Sequence, residues 1–204
     1  MLIFRANKKN ALRIFQLSIE HDTPVIFPTD TIYGIGAPIV SLKANLNVYK
    51  IKKRVDTKPF PLLIGNIAQL ESLVENISSF QMGIINKLWP GPYTLIFKAN
   101  KKTEQLYKSD MKIAVRLPDK QWLSEAISTL KSPMAATSVN ISGEKHQRDI
   151  KDIIELFSNR VMYFLYDPDI KYNINEMPST LIDVSEDTIK FIRNPHKLKE
   201  KNII

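Results

Sequence analysis

Four short stretches of this chain hold residues whose types and spacing could do chemistry. FPTDTIYGIG (Phe27–Gly36) ends an apolar run with Thr29, Asp30 and Thr31, and then carries two glycines. KIKKRVDTKP holds Lys52, Arg54 and Lys58, AATSVNISG holds Ser138 and Asn140, and STLIDV opens on Ser179 and Thr180. In an extended chain, residues at i and i+2 face the same way and the residue between them faces the other. On that geometry Thr29 and Thr31 share a face, Asp30 points away from it, and only one of Ser179 and Thr180 can join a common site. The glycines predict a flexible backbone at the same place.

The cationic segment needs a helix end to work as a unit. Residues two apart on a helix diverge by about 200°, so Lys52 and Arg54 converge only where the helix has stopped. Val55, Asp56, Thr57 and Pro59 predict that stop. A guanidinium fork with ammonium groups suits a polyphosphate, which needs charge and hydrogen bonds rather than a base. Taken alone, the segment reads better as a solvated, cationic helix C-terminus. Ser138 and Asn140 read equally well as turn formers leading into Ser142-Gly143. Arg116 ends the alternating strand KIAVRL and Arg193 ends FIRNP, so each offers a guanidinium at a strand end; an ion pair with an aspartate is the ordinary alternative.

Several chemistries are excluded. With no cysteine in 204 residues, disulfides, thiolate catalysis and thiolate-bound metals are absent. There is no P-loop signature and no G-x-S-x-G elbow. Gly34 and Gly36 begin like a dinucleotide fingerprint, but Ile39 stands at the third position after Pro38. His21, His146 and His196 are too scattered in the chain to form a His-based metal motif. What remains is a set of hydroxyls and cations poor in general bases.

The elements that must position these residues follow from periodicity and caps. Helices are predicted over Lys8–Glu20 with Asn7 as cap, over Ser41–Ile51, from Asn66 with Gln69 in a capping box, over Ser78–Leu88 until WPGP stops it, and over Asp149–Phe157. Strands are predicted at Val25–Phe27, Pro61–Ile64, YTLIFKA, KIAVRL, MAATSV, VMYFLY, STLIDV and IKFIR. Asp167–Pro178 reads as a polar loop. Interleaved helices and strands, with several late strands in succession, predict an α/β domain with a mixed sheet. A single domain over residues 1–195 is expected, followed by a basic tail over 196–204.

The formal net charge is +8, from 29 Lys and Arg against 21 Asp and Glu. That balance favours polyanions, nucleic acid or nucleotide phosphate, and equally describes a lysine-rich soluble surface. No apolar run approaches the length of a membrane span, and the N-terminus lacks a signal-peptide h-region. A cytoplasmic protein without a membrane partner is expected.

FPTDTIYGIG, KKR with Lys58-Pro59, LWPGPYTLIF, AVRLP, ATSVNISG and STLIDV occur in the order found in YrdC-like proteins, and the chain resembles that family from about Ala11 to Arg193. The resemblance implies an open twisted α/β mixed sheet with flanking helices and a concave basic cleft. It implies the family's threonylcarbamoyl-AMP synthase activity, in which L-threonine, bicarbonate and ATP give threonylcarbamoyl-adenylate and pyrophosphate. A separate transferase complex then modifies adenosine 37 of tRNA. By resemblance, Thr29, Thr31, Arg116 and Ser179 line the threonine pocket, with Thr31 ahead of Thr29. Lys52, Arg54 and Lys58 hold phosphates, and Ser138, Asn140 and Arg193 contact the nucleotide. Lys112 and His146 fall near family nucleotide contacts.

Mg2+ is expected to arrive on the ATP phosphates, without protein ligands, and tRNA is a further expected partner. The chain departs from the family in Arg193-Asn194-Pro195, where a glycine is usual, and in the glycine-free stretch 171–178. A short form without the C-terminal domain of longer relatives is expected. The competing class is a non-catalytic tRNA- or rRNA-binding protein using the same cleft, against which stands the lack of an aromatic stacking platform. Carbamoyl-adenylate formation of the hydrogenase-maturation type is a third reading.

Overall fold

The computed structural model describes residues 1–54, 59–107, 111–143, 149–170 and 177–203. In chain order the elements are β1 (Leu2–Arg5), α1 (Lys8–Glu20), β2 (Val25–Pro28), β3 (Tyr33–Pro38), α2 (Leu42–Ile51), β4 (Leu62–Leu63), α3 (Ile67–Glu71), α4 (Ser79–Leu88) and β5 (Tyr93–Lys98). They continue with α5 (Lys101–Tyr107), β6 (Lys112–Arg116), α6 (Gln121–Leu130), β7 (Met134–Ser138), α7 (Ile150–Phe157), β8 (Tyr163–Tyr166), β9 (Thr180–Asp183) and β10 (Lys190–Arg193).

The helices begin where local chemistry says they should. Asn7, Ser41, Asn66, Ser78 and Asp149 each accept a first-turn backbone N–H through the side chain, which satisfies a donor the helix itself leaves open. Ser78 and Gln81 form a reciprocal capping box. At Asn66 the pattern differs: Gln69 reaches past the cap to accept from the Gly65 N–H at 2.7 Å.

All ten strands join one mixed sheet in the order β1-β8-β2-β3-β7-β4-β6-β5-β9-β10. The pairs β1–β8, β2–β8, β4–β6 and β5–β9 are parallel, and the others are antiparallel. The sheet is covered on both sides, which the strands show residue by residue. Val25 and Phe27 pack with Ile14, Phe15, Leu123 and Ile127 of α1 and α6. Ile26 between them packs with Val48 of α2, Ile153 and Phe157 of α7, and the larger cluster. Leu62 and Leu63 divide the same way, as do Phe164 and its neighbours Tyr163 and Leu165. This is the two-residue period of a strand buried on both faces. β4, only two residues long, bridges β7 to β6 and so joins the two halves of the sheet.

The glycines of the opening motif do not mark a flexible loop. Gly34 and Gly36 lie inside β3, which pairs with β2 on one side and β7 on the other. A Cβ on Gly36 would lie 2.1 Å from the Ala135 carbonyl oxygen and 2.9 Å from Ala136 Cα. Close approach of two backbones is therefore what requires glycine there. Gly65 is held similarly under α6, where a Cβ would meet Ser124 O at 2.3 Å and Ser128 N at 2.4 Å.

β1, β3, α5 and α6 were not predicted. Asn100, which accepts from Thr103 N at 2.9 Å, was a readable cap for α5. The spacing of Leu123, Ala126, Ile127 and Leu130 was a readable helical face for α6. β1 carries no such signal, being a four-residue edge strand with Leu2 and Ile3 both exposed. The residues expected as a basic tail pack back on the domain: Ile203 is buried and Leu198 lies against the core. Of the predicted loop, Lys171 to Glu176 lie outside the described residues. Among the described residues no helix is long and apolar enough to cross a membrane.

Replacing Gly36 with alanine should lower stability by about 2 kcal/mol, the scale of overpacking against backbone. Gly83→Ala in α4, where an added Cβ meets nothing within 4 Å, should raise it by about 0.5–1 kcal/mol. Urea unfolding midpoints of the two variants should shift in opposite directions.

Candidate functional site

Arg116 is the centre of the site. Its side chain is 6% exposed, and each of its three nitrogens meets a protein partner. Nε donates to the Gly91 carbonyl at 2.9 Å, Nη1 donates to Thr31 Oγ1 at 3.0 Å, and Nη2 lies 2.6 Å from Asp30 Oδ1. Gly91 belongs to the WPGP turn and in return donates its N–H to Leu117 O at 3.0 Å. The turn, with a cis Trp89-Pro90 bond, thus fixes the guanidinium plane from behind.

Asp30 corrects the expectation from strand geometry. β2 ends at Pro28 and β3 begins at Tyr33, so residues 29–32 form the hairpin connection rather than extended chain. The Thr29 hydroxyl builds that turn: it donates to Ile32 O at 2.7 Å and accepts from the N–H groups of Thr31 and Ile32. The chain bends, and Asp30 swings onto Arg116. Thr31 reaches Arg116 directly, while Thr29 supports Thr31 through a 3.0 Å contact between hydroxyls.

Ser179 and Arg193 join from the far half of the sheet. Arg193 donates from Nε to Ser179 O at 3.0 Å and from Nη2 to Ser179 Oγ at 3.2 Å. Ser179 Oγ also lies 2.7 Å from Thr94 Oγ1. Burial lowers the Arg193 pKa, and the nearby Arg116 charge lowers it further. Two guanidiniums therefore neighbour one carboxylate, Asp30, an arrangement that favours a further anion. Arg193, a nucleotide contact by resemblance, stands here bonded to Ser179 and near Arg116.

A second cluster gathers at the end of α2. The helix stops at Ile51, Lys52 caps it, and Lys53 takes a left-handed φ of 52°. Lys52 is 3% exposed. Its ammonium donates to Ser138 O at 2.7 Å, Asn140 O at 2.8 Å and Asn140 Oδ1 at 3.0 Å, which uses all the protons it carries. Ser138 Oγ donates to Asn140 Oδ1 at 2.6 Å. Lys52, Ser138 and Asn140 thus build one turn together. The Arg54 guanidinium sits 5.0 Å from the Phe60 ring centroid and 5.9 Å from that of Tyr49, a cation–π setting that orients it.

The two clusters flank one strand pair. Gly34 of β3 is in register with Ser138 of β7, and Val139 N donates to Tyr33 O at 3.1 Å. The chain leaving Thr31 thus runs beside the chain entering Asn140. Lys112 lies elsewhere, paired with Asp183 at 3.2 Å. Lys58 and His146 lie outside the described residues. Among the described residues no group of three or more His, Asp or Glu could hold a metal ion. A separate depression of about 420 Å³ is lined by Gly65, Pro90, Leu117, Lys120 and Ser124 among others, and by none of the predicted site residues.

Sequence reasoning missed the Gly91 carbonyl and the Thr94 hydroxyl. Neither had a local signal, because both act through contacts with distant strands.

These contacts define an α/β protein with a hydroxyl- and guanidinium-lined site on a mixed sheet. Residues 18–195 match the model of the Sua5/YciO/YrdC family, described as Telomere recombination, and the chain belongs to that family. It is 31% identical over 186 residues, 91% of this chain and 86% of the other, to a Methanocaldococcus jannaschii protein provisionally named a threonylcarbamoyl-AMP synthase. It is 27% identical to the threonylcarbamoyl-AMP synthase of Pyrococcus abyssi, over 86% of this chain and 51% of that one; the chain spans only about half the length of that relative. The crystal structure of P. abyssi Sua5 complexed with L-threonine matches with a TM-score of 0.81 and 25% identity, over 94% of this chain and 56% of that chain. Escherichia coli YciO, 20% identical, shares the fold with a TM-score of 0.79 over 94% and 92% of the two chains.

Burial, and then the Arg54 charge, lower the Lys52 ammonium from its ordinary 10.5 to about 8. The unfolded chain holds this proton up to about 10.5, so it binds more protons than the fold between the two values. The contribution of Lys52 to stability therefore rises with pH across that window. The urea midpoint of the wild type minus that of Lys52→Met should grow from pH 8 to pH 10.5. A flat difference would mean that the ammonium is not desolvated.

Proposed function

We propose that this protein condenses L-threonine, bicarbonate and ATP into L-threonylcarbamoyl-adenylate with release of pyrophosphate. The product would supply a separate transferase complex that modifies adenosine 37 of tRNA. One observation carries the reading: a buried guanidinium fork, Arg116, is held by Thr31 and Asp30, with a second guanidinium, Arg193, beside it. A small substrate with a carboxylate and a hydroxyl fits that set, since a planar fork binds carboxylate with two parallel hydrogen bonds. The threonine complex of P. abyssi Sua5, which has this fold, supports the same class of ligand.

In the proposed reaction, Arg116 takes the threonine carboxylate and Thr31 and Ser179 meet its hydroxyl, with Thr29 bracing the loop. The threonine amine, after giving up its ammonium proton, forms an N–C bond to bicarbonate carbon. One C–O bond of the bicarbonate breaks, its oxygen leaves as water carrying the nitrogen's proton, and an N-carboxylate results. An oxygen of that carboxylate attacks the α-phosphorus of ATP in line, and the bond to pyrophosphate breaks. A carboxylate is already a nucleophile at neutral pH, so this step needs alignment and charge neutralisation more than a base. Arg54 and Lys58 would neutralise the phosphates, with magnesium arriving on ATP. Lys52 would act beside them by shaping the Ser138–Asn140 turn against which the nucleotide sits.

Pure protein incubated with ATP, labelled bicarbonate and threonine should release pyrophosphate in a threonine-dependent way. If release is no greater than without an amino acid, the assignment is wrong; tRNA retention without ATP turnover would favour a binding protein instead. Arg116→Lys should lower kcat/KM for threonine by about 10- to 100-fold, as expected for lost hydrogen bonds to a charged group. Arg54→Ala should cut ATP turnover while leaving the unfolding free energy from urea titration within about 1 kcal/mol of wild type.

A further inference from the structure

Asp30 has no role in the reaction as described so far, yet its carboxylate lies inside the site. Its side chain is 11% exposed, and its Oδ1 sits 2.6 Å from Arg116 Nη2. The next residue, Thr31, accepts from Arg116 Nη1 at 3.0 Å. A carboxylate and a hydroxyl therefore stand on one scaffold, the turn that Thr29 ties to Ile32, with the guanidinium at the end of β6 set against both. A β-hydroxy-α-amino acid carries its ammonium and its carboxylate on one carbon, the α-carbon, and its hydroxyl on the next. The two sets are complementary group by group: carboxylate to ammonium, guanidinium to carboxylate, hydroxyl to hydroxyl.

We propose that Asp30 is the specificity residue that binds the α-ammonium of the amino-acid substrate, so that the site selects the zwitterion rather than any hydroxy acid of the same shape. This rests on the amino-acid reading of the site given above. The physical case is one of matched ion pairs. The Asp30–Arg116 pair and the ammonium–carboxylate pair of the ligand each span about one hydrogen-bond length. Laid antiparallel, every charge meets its opposite, and burial strengthens all of the contacts. A ligand carboxylate without an ammonium would instead bring a second anion to Arg116 next to Asp30. That like-charge contact disfavours binding. Arg193, beside Arg116 and hydrogen-bonded to Ser179, offsets it only in part.

Two alternatives make different predictions. If Asp30 only fills the place of the substrate carboxylate on Arg116, its removal tightens every carboxylate ligand. If it only stiffens the loop, its removal weakens every ligand equally. L-Threonine and (R)-β-hydroxybutyrate, which is threonine without its amine, separate these cases by calorimetric titration. Wild-type protein should bind threonine more tightly than the hydroxy acid. In Asp30→Asn that preference should fall by about 10- to 100-fold, through lost threonine affinity, with hydroxybutyrate binding unchanged or tighter.

Equal shifts of both ligands in either direction would overturn the proposal. So would a wild-type protein that binds hydroxybutyrate as tightly as threonine, a measurement that needs no folded variant. Failure of wild type to bind threonine at all would overturn the amino-acid reading itself, and this role with it.

Discussion

The site is organised by a buried guanidinium that the fold has to satisfy. Arg116 ends a strand deep in the sheet, where an unpaired charge is strongly unfavourable, and removing one partner of such a pair typically costs about 3–5 kcal/mol. Its partners come from two separate places in the chain, the hairpin connection after β2 and the turn after α4. Gly91 fixes the plane, Thr31 and Asp30 fix the fork, and each contact draws a distant segment to the same point. The site and the tertiary packing are thus one structure.

The same economy appears at the second cluster. Lys52 gives its ammonium to two backbone carbonyls and one amide oxygen. That closes the end of α2 onto the end of β7 and leaves Arg54 as the more exposed cation nearby. A lysine that the sequence presents as a phosphate ligand therefore works first as a buried tie. Its charge still contributes to the local potential, because desolvation weakens screening as well as solvation. The β3–β7 pair carries this tie to the Thr31 loop, and the close contact of Gly36 with Ala135 keeps that pair tight.

Sequence reading succeeded where a signal is local. Asn7 and Asn66 cap the helices they are expected to cap, because a cap is a bond between residues three apart. The strand at Val25–Phe27 was legible as an apolar run stopped by Pro28, and its side chains then alternate between the two buried faces of the sheet. The same rule failed at Asp30, since it assumes an extended chain and the Thr29 turn had already broken the extension. It failed at Gly34 and Gly36 for the opposite reason: glycine was read as freedom, and here it answers to steric contact with β7.

By itself the sequence determined the α/β class, most element positions, the absence of thiol chemistry and the family motifs in their order. All of these rest on short-range periodicity, capping or residue identity. Tertiary structure alone decided that Asp30 turns inward, that Lys52 is a buried tie, that Arg193 stands with Arg116, and that Gly91 offers its carbonyl to the fork. Each of these is a contact between residues far apart in the chain, and its direction is set by packing of strands and turns that no local pattern encodes.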